Sequence, residues 1–209
     1  MAEMIDIFDG NHRLIGSFER KAAHVQGLWH QTFHCWITWK DTVILQLRAP
    51  TKANYPNMLD ISAAGHLEAG ETPLDGVREI EEELGIRVAP ERLRYLGIKH
   101  DVMDEANGVR NREFAHVYLL ESADDMHSMR LAPDEVSGLV QIRIVDMLAL
   151  FSGKVDSVQV DFRTVASTQE EAGKRSISRD DLIPRVDNYY YKVAILADLA
   201  SRDYAHLSI

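Results

Sequence analysis

The chain has 209 residues, 45% hydrophobic and 27% charged, which excludes collagen-like, coiled-coil and wholly disordered classes. That length supplies one well-buried core, so a single domain over residues 1–209 is expected. Lysine and arginine total 23 against 33 acidic residues, a net charge of −10, which argues against nucleic-acid or anionic-membrane partners. Cys35 is the single cysteine, so an internal disulfide framework is excluded and a reducing compartment fits. No apolar run approaches the roughly 20 residues of a membrane span. Met1 to Asp6 shows no export signal, so the expectation is a soluble cytoplasmic protein.

In chain order, Met4–Phe8 and Leu14–Phe18 flank Asp9-Gly10-Asn11, a hairpin signal. Glu19–Gly27 reads as one helical turn or a loop. Phe33, Cys35, Ile37 and Trp39 alternate within a strand over 29–39, and Val43–Leu47 is a second strand. Leu59–Ala64 is a short apolar strand running into Gly65. A helix is predicted from about Leu74 to Leu84, stopped by a glycine cap at Gly85. Leu93–Val102 and Glu113–Leu120 look like strands joined through Asn107-Gly108. Leu139–Ile144 is another strand and Val145–Phe151 a helix. Val158, Val160 and Phe162 alternate before a polar stretch beginning at Ser167. Tyr189–Leu199 closes the chain as a helix. Strands with a few helices point to an α+β or α/β fold.

The chemistry concentrates in residues 65–86. On a helical wheel starting at Leu74, Val77, Ile80 and Leu84 fall at about 300°, 240° and 280° and share an apolar face. Glu82, Glu79 and Glu83 fall at about 80°, 140° and 180° on the other side. Like charges at this spacing repel by roughly a few tenths of a kcal/mol per pair and raise each other's pKa. A divalent cation removes both penalties, and Mg²⁺ commonly joins carboxylates to substrate phosphates. A solvated acidic helix face has the same appearance on the wheel, so these positions alone leave both readings open.

The wider stretch resembles the Nudix box, G-x5-E-x7-R-E-U-x-E-E-x-G-U with U aliphatic. Gly65, Glu71, Arg78, Glu79, Ile80, Glu82, Glu83, Gly85 and Ile86 match in type and order. Only six residues separate Glu71 from Arg78, where the family pattern has seven. The departure puts the placement of Glu71 in question and leaves Arg-Glu-Ile-x-Glu-Glu-x-Gly-Ile intact. The resemblance implies a mixed sheet between helices, with a core over about residues 5–150. A further helical region, about residues 154–209, is expected to pack on that core. It also implies that Glu79, Glu82 and Glu83 are the catalytic metal ligands for Mg²⁺, with Mn²⁺ as the substitute. Gly65, Glu71, Arg78 and Gly85 would be structural. The implied activity is hydrolysis of a diphosphate linkage in a small organic diphosphate, with a nucleoside diphosphate derivative as the default.

Asn57-Met58-Leu59-Asp60-Ile61-Ser62-Ala63-Ala64-Gly65-His66 is similar to the lead-in of isopentenyl-diphosphate isomerases and isomerase-like Nudix hydrolases. In true isomerases, histidines at places comparable to His24, His30 and His66 bind metal. A cysteine one residue before the box glycine moves the proton. Here that residue is Ala64, which cannot, and Cys35 reads as core packing. The chain is therefore expected to be an isomerase-like hydrolase; the isomerase and a ligand sensor that has lost catalysis are the contrasts. Basic residues after the second strand, Arg48 and Lys52, would meet the substrate's phosphates, with His66 also binding substrate. The three histidines read mainly as ordinary polar contacts and His34 as a strand-surface residue. Glu68 and Glu135 are candidates for proton handling; as a bland alternative, Glu135 is a turn acid. Tyr189, Tyr190 and Tyr191 are of a type that stacks a nucleobase, but at helical spacing one or two of them are expected to pack the last helix to the core. The polar segment Ser167–Arg179 suits a lid or a homodimer contact, and the sequence leaves both open.

Overall fold

A computed structural model of the chain describes residues 2–105, 108–165 and 170–209. The N-terminal hairpin is formed by β1 (Met4–Phe8) and β2 (Leu14–Glu19), antiparallel across the Asp9 turn. The next segment is a two-turn helix, α1 (Arg20–Gln26), rather than a loop; Gly27 caps it in the left-handed region at φ 66°. It is followed by β3 (Trp29–Trp39) and β4 (Thr42–Arg48). The apolar run before the box divides into β5 (Leu59–Asp60) and β6 (Ala63–His66). A 3-10 turn (Asp75–Val77) leads into α2 (Arg78–Leu84). Long strands β7 (Arg94–Asp104) and β8 (Arg110–Glu121) follow, then β9 (Val136–Arg143) and α3 (Ile144–Phe151). Asn107, expected in the β7–β8 turn, lies outside the described residues.

The C-terminal region carries its expected helix, α4 (Tyr189–Ala200), and also a hairpin of β10 (Ser157–Val165) and β11 (Glu170–Ser178). Val160 of the alternating run is buried, and Val158 and Phe162 pack beside it. Of the polar stretch, Ser167 lies outside the described residues. From Glu170 it is strand, paired with β10 along its length.

The strands form one mixed sheet in the order β11-β10-β9-β4-β3-β1-β2, with β8 parallel to β3 and β7 beyond it. One edge of β3 pairs with β8 from His30 to Thr38. The other edge is shared by β1, β6 and β4 in succession. β4 pairs with β3 only from Thr42 to Ile44 and then turns to β5, so β4 and β6 diverge. Ser62 fills the fork, accepting from the Ile37 N–H at 2.8 Å and donating to the Ile44 carbonyl.

Apolar clusters cover both faces. On one, Trp36, Leu45, Val117 and Ile142 pack under α3 and α4; on the other, Phe33, Ile37, Ile44 and Tyr118 pack under Ile80 and Leu84 of α2. A strand covered on both faces has no surface side. His34 is therefore buried, contrary to the surface expectation, with Nδ1 3.1 Å from the Tyr189 hydroxyl. Tyr189 also accepts from Trp36 Nε1 at 2.9 Å, and Tyr190 is buried beside it. Cys35 packs in the core as expected. Among the described residues, no helix is long and apolar enough to cross a membrane.

Candidate active site

Arg78 is the centre of the box. Its guanidinium grips Glu71 by two bonds, Nε–Oε1 at 2.9 Å and Nη2–Oε2 at 3.1 Å, and also donates to the His66 carbonyl at 3.0 Å. Glu71 in turn accepts from the Glu68 N–H at 2.7 Å. The Arg78 hydrogen bonds hold the Glu71 carboxyl below its ordinary range. The fork thus forms although the loop is one residue short. Three residues of 3-10 helix rise roughly 2.0 Å each rather than 1.5 Å, a gain of about one α-helical residue. The same turn leaves Leu74 outside the helix and exposed, so the predicted apolar face begins at Val77. Gly85 ends α2 at φ 69°, its N–H donating to the Glu81 carbonyl at 2.9 Å.

Arg78 Nη1 reaches Glu79 Oε1 at 2.6 Å and Glu82 Oε2 at 3.1 Å. Glu83 Oε2 accepts from the Ala64 N–H at 3.1 Å and from Gln46 Nε2 at 3.2 Å. Among the described residues, hydrogen bonds therefore engage one oxygen of each glutamate and leave the other without a partner. The wheel does not anticipate their burial. Glu82 is mostly exposed, whereas the Glu79 side chain is 13% exposed and Glu83 5%. Burial pushes Glu79 up to about 7, against the Arg78 charge, and Glu83 up to about 8, aided by the Glu79 charge. Carboxyls gathered in this state, each with a spare oxygen, fit a hard divalent cation. Gly65 makes the arrangement feasible: a Cβ there would lie 2.0 Å from Glu79 Cδ.

These glutamates border a cavity of about 400 Å³. Arg48 and Lys52 line it, as do Arg20 and Arg185. Arg48 donates to the Asn54 carbonyl through Nε and Nη2, at 3.3 and 3.0 Å, and its Nη1 lies 3.7 Å from Asp60 Oδ2. Lys52 is ion-paired to Glu135, so Glu135 is a cavity residue as well as a turn acid. Glu68 lines the cavity too.

The three histidines come together and exceed their expected role as separate polar contacts. Ligand atoms of His24, His30, His66 and Glu113 all lie within 4.8 Å of one another. His24 Nδ1 is 2.8 Å from the Arg20 carbonyl and His30 Nδ1 is 2.9 Å from the Leu28 carbonyl, which assigns the proton to Nδ1 in each. Each Nε2 is then a lone-pair donor: that of His24 accepts from His66 Nε2 at 3.2 Å, and that of His30 is buried with no hydrogen bond among the described residues. Burial holds His30 down to about 4 and His66 well below its ordinary value. Neutral imidazoles anchored through Nδ1 suit a metal ion.

Glu113 carries no motif and enters the sequence reading only as the start of a strand; the parallel pairing of β8 with β3 sets it opposite His30. Arg20, Asp60 and Arg185 are missed for the same reason. Gln46 had one available signal, a glutamine inside the apolar run Val43–Leu47.

The NUDIX domain profile matches residues 28–162. The chain belongs to the Nudix family. It is thus one of the hydrolases that act on pyrophosphate bonds. A Nudix hydrolase of Clostridium acetobutylicum is 38% identical over 193 residues, covering 90% of this chain and 93% of its own. An isopentenyl-diphosphate Delta-isomerase of Roseobacter denitrificans is 30% identical over 134 residues, 63% of this chain and 74% of its own. The fold is also that of the Deinococcus radiodurans protein DR0079, with a TM-score of 0.56 at 22% identity, covering 72% of this chain and 90% of that one. The matched Nudix region excludes Arg20, His24 and Arg185, which come from the flanking segments.

Proposed function

We propose that this Nudix protein hydrolyses the diphosphate linkage of a small organic diphosphate with Mg²⁺, for which Mn²⁺ can substitute, and that nucleoside diphosphate derivatives are its default substrates. The observation that carries this reading is the set Glu79, Glu82 and Glu83, each with one oxygen held and one free, beside a cavity also lined by Arg48 and Lys52. A divalent ion held by the three glutamates supplies charge neutralisation at the phosphates and orients the attacking water. Arg78 keeps Glu79 and Glu82 together, and the Ala64 N–H and Gln46 keep Glu83 in place. Arg48, whose Nε–Nη2 edge is held by the Asn54 carbonyl, brings a fixed guanidinium charge suited to phosphate oxygens, and Lys52 a compact charge.

The isomerase is the second reading, favoured by the His24–His30–His66–Glu113 group and by the similarity to isomerases. Ala64 opposes it, because a methyl group cannot transfer a proton. Cys35 is no substitute: it is fully buried in β3, and burial raises its thiol pKa far above the ordinary value.

The test is phosphate release from nucleoside diphosphate derivatives, dinucleoside polyphosphates, and isoprenyl and thiamine diphosphates, with and without Mg²⁺. Metal-dependent release is expected, with most turnover lost in Glu82→Gln. Because the Glu82 side chain is 57% exposed, the metal-free Tm of that variant should stay nearly unchanged. A fully active variant would sink the metal assignment. Silence across the panel would favour the sensor.

A further inference from the structure

Glu79 and Glu82 are steered by Arg78 from within their own helix. Glu83, the most buried of the three, is steered from the sheet. The Ala64 N–H and Gln46 Nε2 converge on Oε2, and among the described residues Oε1 has no hydrogen-bond partner. The backbone donor is present whatever residue occupies position 64. The side-chain donor depends on a glutamine at position 46.

Gln46 is 1% exposed, in β4 at the point where that strand leaves β3 for β5, opposite Asp60. Along a strand, alternate residues share a face. Gln46 therefore lies on the face of Ile44, which belongs to the apolar cluster under α2. Its own Oε1 is buried and has no hydrogen-bond partner among the described residues. A core position has accepted an amide whose carbonyl goes unpaired, and the bond to Glu83 is what the amide gains. The donor is also neutral. It can turn a carboxylate without cancelling the charge that a cation needs, as a lysine or arginine there would do.

We propose that Gln46 is a positioning residue: it anchors Glu83 Oε2, presents Oε1 to the cavity, and so sets the affinity of the box for its divalent cation. This rests on the reading of Glu79, Glu82 and Glu83 as metal ligands. With Gln46 gone, Glu83 keeps one anchor and can swing about it. Partners that orient a metal ligand typically change metal affinity by about 10- to 100-fold when removed.

Mn²⁺ binding to the full chain, read from the free-ion signal in electron paramagnetic resonance, tests this. Glu83→Gln defines which binding event belongs to the box, because the histidine group offers a second place for the ion. Gln46→Met keeps length and bulk and loses the donor. It should raise the dissociation constant of that event by about 10- to 100-fold, with the metal-free Tm unchanged or higher. Gln46→Asn keeps the amide one methylene short. It should fall between wild type and Gln46→Met, and it carries the test if the methionine variant does not fold. A dissociation constant within twofold of wild type in the folded variants overturns the role of Gln46 alone. If wild type shows no binding that Glu83→Gln removes, the metal reading falls, and this inference with it.

Discussion

Arg78 connects more of the site than any matched box residue. It bonds Glu71 twice, the His66 carbonyl once, and Glu79 and Glu82 once each. Truncating it strands half-buried carboxylates beside one another without their counter-charge. Arg78→Ala should therefore cost about 3 kcal/mol, the low end for breaking a buried pair. Urea unfolding without metal would measure this, and an unaltered midpoint would refute the structural role. The residue scale is also where the box motif was most informative. The motif positions could be assigned by type alone because their roles are local. Gly65 is a case where the residue type follows from contact: the Glu79 carboxyl occupies the space of its missing side chain.

At the scale of elements, most strands and the last helix were legible from period and punctuation, because alternation and caps are local signals; β11, a polar segment with no apolar alternation, was not. The box helix was legible in extent but not in orientation. A wheel sorts residues by angle and takes the charged arc as solvated. Here α2 lies beside the fork between β4 and β6, and Glu83 enters the fork while Glu82 stays exposed. The role of Arg185, between β11 and α4, was not legible for a related reason. Arg185 is 8% exposed and reaches Asp60 on β5 at 2.9 Å and Asp101 on β7. Lys99 completes the group, 2.9 Å from Asp101. Its charges come from three distant parts of the chain, and no spacing predicts that. Arg185→Met should leave two buried carboxylates short of a partner and cost about 3–5 kcal/mol, with Arg185→Lys intermediate. Thermal unfolding checks this, and equal Tm values for Arg185→Met and wild type would refute it.

The whole molecule buries several histidines, and its response to acid should show it. His116 is 5% exposed, with Nε2 buried and without a hydrogen bond among the described residues; burial holds it down to about 4, with the His12 charge adding. The unfolded chain binds this proton near pH 6.5, so between about pH 6.5 and 4 the unfolded state holds more protons. The stability contributed by a neutral His116 is thus full above pH 6.5 and lost as pH falls toward 4. Glu79 and Glu83, pushed up to about 7 and 8, act with the opposite sign: their folded-state protons are lost as pH rises through those values. The two sets oppose, so the informative quantity is a difference. His116→Gln should gain stability relative to wild type as pH falls from 7 to 5, in urea melts without metal. Parallel curves would refute the assignment.

The sequence by itself determined the box, the one-residue deletion within it, the order of most elements and the absence of a proton-moving side chain at Ala64. These are properties of residue type and short spacing, which a linear chain carries in full. The tertiary structure alone decided that the shortened loop still closes on Glu71, that Glu83 is held by Gln46, and that His24, His30 and His66 meet Glu113. It also decided that Arg185 joins the cavity wall. Each of those depends on which strands pair and where β4 parts from β3. Strand pairing joins residues tens of positions apart through burial and backbone hydrogen bonds, and a local pattern carries no record of that partner.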